Sequence, residues 1–207
     1  MRHQFESAAT RSIGEAVREL ESRSAAELVV EIRARSGSYA HADARFAAFL
    51  ALVSLAVLVY MPFTVPPVAV LLDPVAFYAV GLAIAKRSDS LRRLFTTRKE
   101  RQQAVLTHAA ALFHNRGVAN TSGETGVVLF VSLLERRIEV LADRGVLLKV
   151  DANEWNAALA ALHAEQPLDP EVVIAAIRRL GAVLERDLPA GAVNEDELSS
   201  VPEISLR

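Results

Sequence analysis

The sequence of 207 residues contains no cysteine. Without thiols the chain has no disulfide, no CxxC redox pair, no cysteine-ligated zinc or iron–sulfur site and no cysteine nucleophile. The net charge is only −2, from 23 basic and 25 acidic residues, so a general affinity for nucleic acid is not expected. The N-terminus is charged throughout and lacks the apolar core of a signal peptide. Composition therefore excludes several classes of protein without naming a reaction.

Charge is also nearly absent from a long central stretch. No charged residue occurs from Phe46 to Leu72, and after Asp73 the chain is again uncharged from Pro74 to Ala85. A bilayer core of about 30 Å needs roughly 20 apolar residues per crossing. The stretch therefore predicts a hairpin of two transmembrane helices, over about residues 46–61 and 68–85.

Three prolines near the middle of this stretch, Pro62, Pro66 and Pro67, can form the turn between the two spans. A turn at Asp73-Pro74 is the alternative, but it would leave only twelve residues for the return, too few to cross. With the proline turn, Asp73 lies within two helical turns of the far interface and can reach water. A buried helical hairpin in a soluble core is a further interpretation, which an uncharged stretch of this length disfavours.

Basic residues flank the stretch on both sides and are absent from its turn. They are Arg33, Arg35 and Arg45 before it, and Lys86, Arg87, Arg92 and Arg93 after it. Because basic flanks remain on the cytoplasmic side, we expect an integral membrane protein with both termini in the cytoplasm. The same residues can attract anionic headgroups. The lipid bilayer is thus the first expected partner.

Periodicity and end signals predict the elements outside the hairpin. They are a helix over residues 4–23, a strand over 28–33, a helix over 98–116, strands over 126–133 and 137–143, a helix capped by Asn153, and a helix that opens at Asp169-Pro170. A capping box at Thr97 and Glu100 begins the helix over 98–116, and Gly117 suits its end. This order of helices and three strands predicts an α/β fold, with a small sheet flanked by helices.

The hairpin interrupts this α/β domain. The first part of the domain is predicted at residues 1–44, the transmembrane insertion at 45–86, and the second part at 87–188, followed by an acidic, flexible tail at 189–207. Each part alone is too small to cover the other's sheet, so the two parts should fold together. Ser36-Gly37-Ser38, after the first strand, is interpreted as a flexible joint into the membrane segment.

The sequence offers few groups for catalysis. The histidines lack metal-binding spacing, so they are interpreted as structural, and no phosphate loop, dinucleotide fingerprint or GxSxG motif occurs. Asp143-Arg144-Gly145 follows the last strand, and Asp151 lies in the next loop. We expect these carboxylates at the carboxyl-terminal edge of the sheet, where α/β folds bind ligands, and such oxygens suit Ca²⁺ or Mg²⁺. The alternative is an ordinary turn, in which Asp143 accepts backbone hydrogen bonds, Gly145 supplies a positive φ and Arg144 is solvated.

The segment TGVVLFVSLLERRIEVLADRGV (Thr125 to Val146), preceded by a helix and followed by Trp155 in a short helix, resembles the TPM domain. The resemblance is to bacterial membrane proteins in which this domain carries an inserted helical pair, and it extends to AELVVEIRARS (Ala26 to Ser36). It implies an α/β sandwich attached to a membrane. For some relatives it implies a part in maintaining membrane complexes such as photosystem II, an auxiliary role beside a receptor, or phosphatase activity. Exported relatives bind metal near an acidic turn similar to GxGxE, whereas Asp143 to Leu147 here has one glycine and no following acid.

These features agree to different degrees with three functions. The first is a membrane-anchored interaction or assembly module without catalysis or cofactor, whose partner is another membrane protein or a second copy. The alternative is a phosphohydrolase in which Asp143 and Asp151 hold a divalent metal that activates water, although no third ligand, nucleophile or general base is evident. Transport through the hairpin is disfavoured, because two helices with one aspartate line no path unless many copies assemble.

Overall fold

The computed structural model describes residues 5, 7–62, 64–164, 168–191, 198–199 and 201–206. Eight α-helices and four strands occur in this part of the chain. In order they are α1 Ser7–Arg23, β1 Glu27–Arg33, α2 Ala40–Tyr60, α3 Pro67–Ala85, α4 Asp89–Leu94, α5 Arg98–Asn115, β2 Gly126–Ser132, β3 Arg137–Ala142, α6 Arg144–Lys149, α7 Ala152–Ala164, α8 Pro170–Asp187 and β4 Glu203–Ser205. The chain divides into two compact units. The sheet unit runs up to Ser36 and resumes at Gln102, and the hairpin unit covers Gly37–Arg101.

The sheet unit contains one four-stranded sheet in the order β3-β2-β1-β4. β1 is parallel to β2, with Glu27 opposite Gly126 and Arg33 opposite Ser132. β3 returns antiparallel to β2 through a tight turn. The α/β fold is therefore confirmed, and the strand near residue 28 pairs with the strand near residue 126 although the whole hairpin unit lies between them in the chain.

Both faces of the sheet are covered, which explains why β2 is buried along its whole length. On one face Leu28, Ile32 and Leu129 belong to the main core, together with apolar residues of α1, α7 and α8. On the other face Val128 and Phe130 pack in a smaller cluster with the apolar residues of α5. A continuous apolar run such as GVVLFVS is typical of a strand covered on both sides.

The end of the chain differs from the prediction. We expected a flexible tail over residues 189–207, but Glu203–Ser205 forms β4 and pairs in parallel with Glu31–Arg33 of β1. The acidic residues Glu195–Glu197, on which the tail prediction rested, lie outside the described residues. A strand of three residues is too short to show an alternating pattern in the sequence, so this element was missed.

The hairpin unit contains α2, α3 and the short helix α4. The helices α2 and α3, of 21 and 19 residues, are long and apolar enough to cross a membrane. The turn lies between Tyr60 and Pro67, and Pro74 lies inside α3, so the turn predicted at the prolines is confirmed and the alternative at Asp73-Pro74 is wrong. The two helices approach closely at Gly81, where an added Cβ would lie 2.7 Å from the Cα of Ala47.

Candidate functional site

Asp143 begins a helix that the sequence did not predict. Its Oδ1 accepts a hydrogen bond from the backbone N of Arg144 at 2.7 Å, and α6 follows directly. The proposed turn with a positive φ at Gly145 is therefore wrong, because Gly145 lies within α6 and Gly117 is the described glycine with a positive φ, of 66°. Gly145 is required for a different reason. A Cβ there would lie 2.4 Å from the carbonyl oxygen of Gly123.

Asp151 begins the next helix. Its Oδ1 accepts hydrogen bonds from the backbone N atoms of Asn153 and Glu154, each at 3.0 Å, so Asp151 caps α7 and the expected cap at Asn153 is wrong. The backbone N of Asp151 donates to Oδ2 of Asp187 at 3.0 Å. The Arg186 guanidinium and this backbone hydrogen bond lower the pKa of Asp187 to about 2. Asp151 thus joins the start of α7 to the end of α8.

The sheet topology moves Asp143 away from the edge where we expected it. β3 runs antiparallel to β2, and the backbone N of Asp143 donates to the carbonyl of Gly126, the first residue of β2. Asp143 therefore lies beside the amino-terminal ends of the parallel strands, whereas ligands of open α/β sheets bind at the carboxyl-terminal ends.

The described residues contain no group of three or more histidine, aspartate or glutamate side chains that could hold a metal. Oδ2 of Asp143 is buried without a hydrogen-bond partner in this part of the chain, so it is one free oxygen. No described contact joins Asp143 to Asp151. Because Ca²⁺ takes six to eight oxygen ligands, this arrangement supplies only a small part of a coordination shell.

A polar surface that the sequence analysis missed lies on the α5 side of the sheet. The strand register places two rows of polar side chains across the carboxyl-terminal ends of β1 and β2. The first row is Glu203, Glu31 and Glu139, interrupted by Phe130, and the second row is Ser205, Arg33, Ser132 and Arg137. The signal in the sequence for this surface is a polar residue inside each predicted buried strand, such as Glu31 or Ser132.

Among the carboxylates in these two rows, Glu31 is the most deeply buried, with a relative exposure of 1%. It forms an ion pair with Nε of Arg33, and its Oε1 lies 3.4 Å from Nε2 of His108 on α5. The His108 ring stacks on Phe130 with 4.8 Å between ring centroids. A buried carboxylate is costly unless it is paired. Arg33 and His108 supply its partners, so this cluster fixes α5 on the sheet.

Glu135, in the turn between β2 and β3, holds the chain where it leaves the sheet unit. Its Oε1 accepts from the backbone N of Ser36 at 2.9 Å, and its Oε2 accepts from Oγ of Ser132. Oγ of Ser36 donates to Oγ of Ser132 at 2.8 Å. The interpretation of residue 36 as part of a flexible joint is therefore wrong. We name these three residues the exit clasp.

The basic residues that flank the hairpin differ in how far they are buried or paired with acidic residues. Arg92 is buried and donates two hydrogen bonds to Asp43, at 2.9 and 3.0 Å. Arg45 is paired with Glu100, 3.0 Å away, and this pair together with Thr97 lowers the pKa of Glu100 to about 2. The capping box between Thr97 and Glu100 is confirmed.

Three more of the flanking residues, all after the hairpin, are Lys86, Arg87 and Arg93. Lys86 and Arg87 are exposed, and Arg93 is half-buried. Arg87 donates to the carbonyl of Ala83 at 3.1 Å. Lys86 and Arg87 are thus the most accessible cations next to α3.

Comparison with known proteins adds information on the fold alone. No family model matches the chain, and no curated protein matches it. The NMR structure of the BA42 protein from the psychrophilic bacterium Bizionia argentinensis is similar, with a TM-score of 0.56 and 14% identity. The likeness covers 96% of this chain and 94% of that protein. At this identity it shows a shared fold, consistent with the α/β sheet described above.

Proposed function

We propose that this protein is a membrane-anchored, TPM-like module of the bacterial inner membrane that binds another membrane protein or a second copy and carries out no catalysis. The hairpin unit is the anchor. The sheet unit is the binding part, on the cytoplasmic side together with both termini.

The observation that carries the proposal is the surface of the hairpin helices. Only 22% of the most apolar stretch of α2 and 11% of that of α3 are buried, so the apolar side chains point mainly outward. Leu52 and Leu71, for example, are 66% and 70% exposed. The core helix of a soluble protein buries such residues, whereas a bilayer solvates them. Lys86 and Arg87 at the end of α3 support the cytoplasmic assignment.

The packing of the hairpin also suits a membrane. Gly81 lets α3 approach Ala47 of α2, and small residues at such crossings are typical of helix pairs in lipid. Ser54 is buried, and its hydroxyl donates to the carbonyl of Ala51 at 2.9 Å, so it exposes no unpaired donor. Asp73 is half-buried in α3, seven residues into the helix, and we expect it near the periplasmic interface.

Membrane insertion and topology are tested together with two fusions of one reporter enzyme that is active only outside the cytoplasm. Placed after Arg207, the reporter should be silent. Inserted between Thr64 and Val65, in the turn of the hairpin, it should be active, and this fusion is the matched control for expression. The protein should also stay in the membrane pellet in alkaline carbonate. Release by carbonate, or an active reporter after Arg207, contradicts the proposal.

The metal-dependent phosphohydrolase is the competing proposal, and Asp143→Asn separates the two. Asparagine can cap α6 as aspartate does, so the variant should melt within a few degrees of the parent and keep the same co-purifying proteins in mild detergent. Neither protein should hydrolyse a small phosphate ester. The interaction module is overturned if the parent hydrolyses the ester in a Mg²⁺- or Ca²⁺-dependent way and the Asp143→Asn variant does not.

A further inference from the structure

Residues 94–99, from the end of α4 to the start of α5, fold back onto the beginning of α2, and we name them the fold-back segment. The ring of Phe95 lies 5.4 Å from that of Phe46 and 6.0 Å from that of Phe49, measured between centroids. Nη1 of Arg45 donates to the carbonyl of Phe95 at 3.1 Å. The segment is therefore attached to α2 by both ring packing and a backbone contact.

These contacts set the depth of the fold-back segment relative to a bilayer. Arg45 is the last charged residue before the uncharged stretch that begins at Phe46. In the proposed anchor it marks the level at which the hydrocarbon core begins, so a segment that packs on both residues lies at the same level. Nη1 of Arg101 donates to the carbonyls of Arg93 and Thr96, at 2.8 and 2.7 Å, and so fixes the segment on the start of α5.

One large apolar side chain of this segment is unprotected. Leu94 is 75% exposed, more than Leu52 or Leu71 of the two spans. An exposed leucine at the level of the bilayer surface is covered by the upper part of the lipid acyl chains, as in other helices that bind at an interface. The depth of the segment therefore accounts for the exposure of Leu94.

The charge of the hairpin unit is opposite in sign to that of the rest of the chain. Gly37–Arg101 contains eight basic and four acidic residues, whereas the rest contains fifteen basic and twenty-one acidic residues. Three of the four acids pair with arginines of the same unit, namely Asp43 and Asp89 with Arg92, and Glu100 with Arg45. The fourth acid is Asp73, inside α3. The excess of positive charge therefore lies at the end of the unit that carries the fold-back segment.

Four cations at this end are exposed. They are Lys86, Arg87, Arg98 and Lys99. In the part of the chain that the structure describes, none of the four belongs to an ion pair. Arg98 and Lys99 are part of the fold-back segment itself, only four and five residues after Leu94. Cations beside an apolar side chain at this level match a lipid that has acyl chains and a negative headgroup.

From these observations we propose that the fold-back segment binds anionic phospholipids. Leu94 enters the acyl-chain region, and Arg98 and Lys99 hold the headgroup phosphate. Lys86 and Arg87 add to the positive surface. A zwitterionic headgroup carries its own cation, so this surface attracts it less. The inference rests on the membrane anchor of the proposed function and names its lipid partner.

The depth of Leu94 can be measured with a single fluorescent label, because the chain has no cysteine. Full-length Leu94→Cys and Arg18→Cys, the second at an exposed position on α1, are labelled with bimane and reconstituted into nanodiscs that contain phosphatidylglycerol. Lipids with a nitroxide on the acyl chain should quench the label at residue 94 several-fold more than the label at residue 18. Aqueous iodide should show the reverse order. Equal quenching of the two labels overturns the inference.

The selectivity for charge is measured by the melting temperature of the full-length protein in a neutral detergent. Phosphatidylglycerol should raise it by several degrees, because a ligand of the folded state stabilises that state, whereas phosphatidylcholine and inorganic phosphate at the same concentration should not. Arg98→Gln with Lys99→Gln should lose most of this gain. Arg11→Gln with Arg18→Gln, which removes two exposed cations of α1, is the matched control and should keep it.

The other results of the melting experiment contradict the lipid site. They are an absent gain with phosphatidylglycerol, an equal gain with phosphatidylcholine or free phosphate, and an equal effect of the two double variants. Failure of the anchor itself is recognised separately, because the protein would then not be retained in nanodiscs of any composition. A protein that is retained, but whose label at residue 94 faces water, contradicts only the lipid site.

Discussion

Gly145 lies where α6 meets the loop before β2. A Cβ at this position would lie 2.4 Å from the carbonyl oxygen of Gly123 and 2.7 Å from that of Glu124, and both are backbone atoms that cannot rotate away. We predict that Gly145→Ala destabilises the protein by about 2 kcal/mol, through the strain of an overpacked site. The melting temperature should fall by several degrees, measured by thermal unfolding in detergent.

Gly123→Ala is the matched control for this change. Its Cβ would meet the side chain of Thr125, with Cγ2 at 3.2 Å, and a side chain can adjust. The control should therefore melt close to the parent. If Gly145→Ala melts with the parent as well, the close approach of α6 to this loop is not required for stability.

The same few residues show what a sequence can and cannot reveal at this scale. Asp143-Arg144-Gly145 was singled out because it follows the last strand and offers a carboxylate there, and the alternative was an ordinary turn. The chemistry was assigned correctly in part, since Asp143 does accept a backbone hydrogen bond. The need for glycine comes from the backbone of Gly123 and Glu124, and no local pattern around Gly145 records such a contact.

At the scale of elements, the ion pair between Arg92 and Asp43 connects α4 to α2. The two side chains are only 9% and 7% exposed, and the guanidinium donates to both carboxylate oxygens. Removing one partner of a buried pair leaves an uncompensated charge, which costs about 3 to 5 kcal/mol. We predict that Arg92→Ala markedly increases cleavage of the hairpin unit by protease in detergent, whereas Arg87→Ala, at an exposed position, does not.

Arg92→Met together with Asp43→Leu is the informative second variant. It removes both charges, so it should recover much of the protease resistance that Arg92→Ala loses. If the double variant is as sensitive as Arg92→Ala, packing and not the unpaired charge explains the loss. Equal resistance of Arg92→Ala and the parent would show that the pair does not hold α4.

Elements long enough to show a repeating apolar pattern and clear end signals were predicted to within a few residues. Short elements were not predicted. The capping box fixes the start of α5, and Gly117 fixes its end with a φ of 66°. In contrast α4, α6 and β4 have six, six and three residues, so none repeats its periodicity even twice. These three elements create the ion pair of Arg92, the cap of Asp143 and the edge of β1. The contacts made by these short elements were therefore the least predictable.

At the scale of the whole molecule, the sheet is built from one strand that precedes the hairpin unit in the chain and three strands that follow it. β1 and β2 form seven residue pairs, from Glu27 with Gly126 to Arg33 with Ser132. The exit clasp then holds Ser36 against Glu135, and so fixes the point at which the chain leaves the sheet unit. None of the described residues among 45–86 belongs to the sheet or to either of its two cores.

We therefore predict that replacing residues 45–86 by a short Gly/Ser linker yields a protein that is soluble without detergent and unfolds in one sharp transition. The linker restores the covalent path from β1 to α5, and the entropy cost of closing a loop grows only slowly with its length. The fragment of residues 98–186 is the matched comparison, because it keeps β2 and β3 but lacks β1, α1 and β4. Without β1, β2 loses all seven of the residue pairs that it forms with β1, and the main core loses Leu28 and Ile32. This fragment should therefore unfold broadly or aggregate. Circular dichroism during heating distinguishes the two. A sharp transition in the fragment would show that the sheet unit does not need the part of the chain before the hairpin. Aggregation of the linker variant would show that the two parts do not fold together without the hairpin.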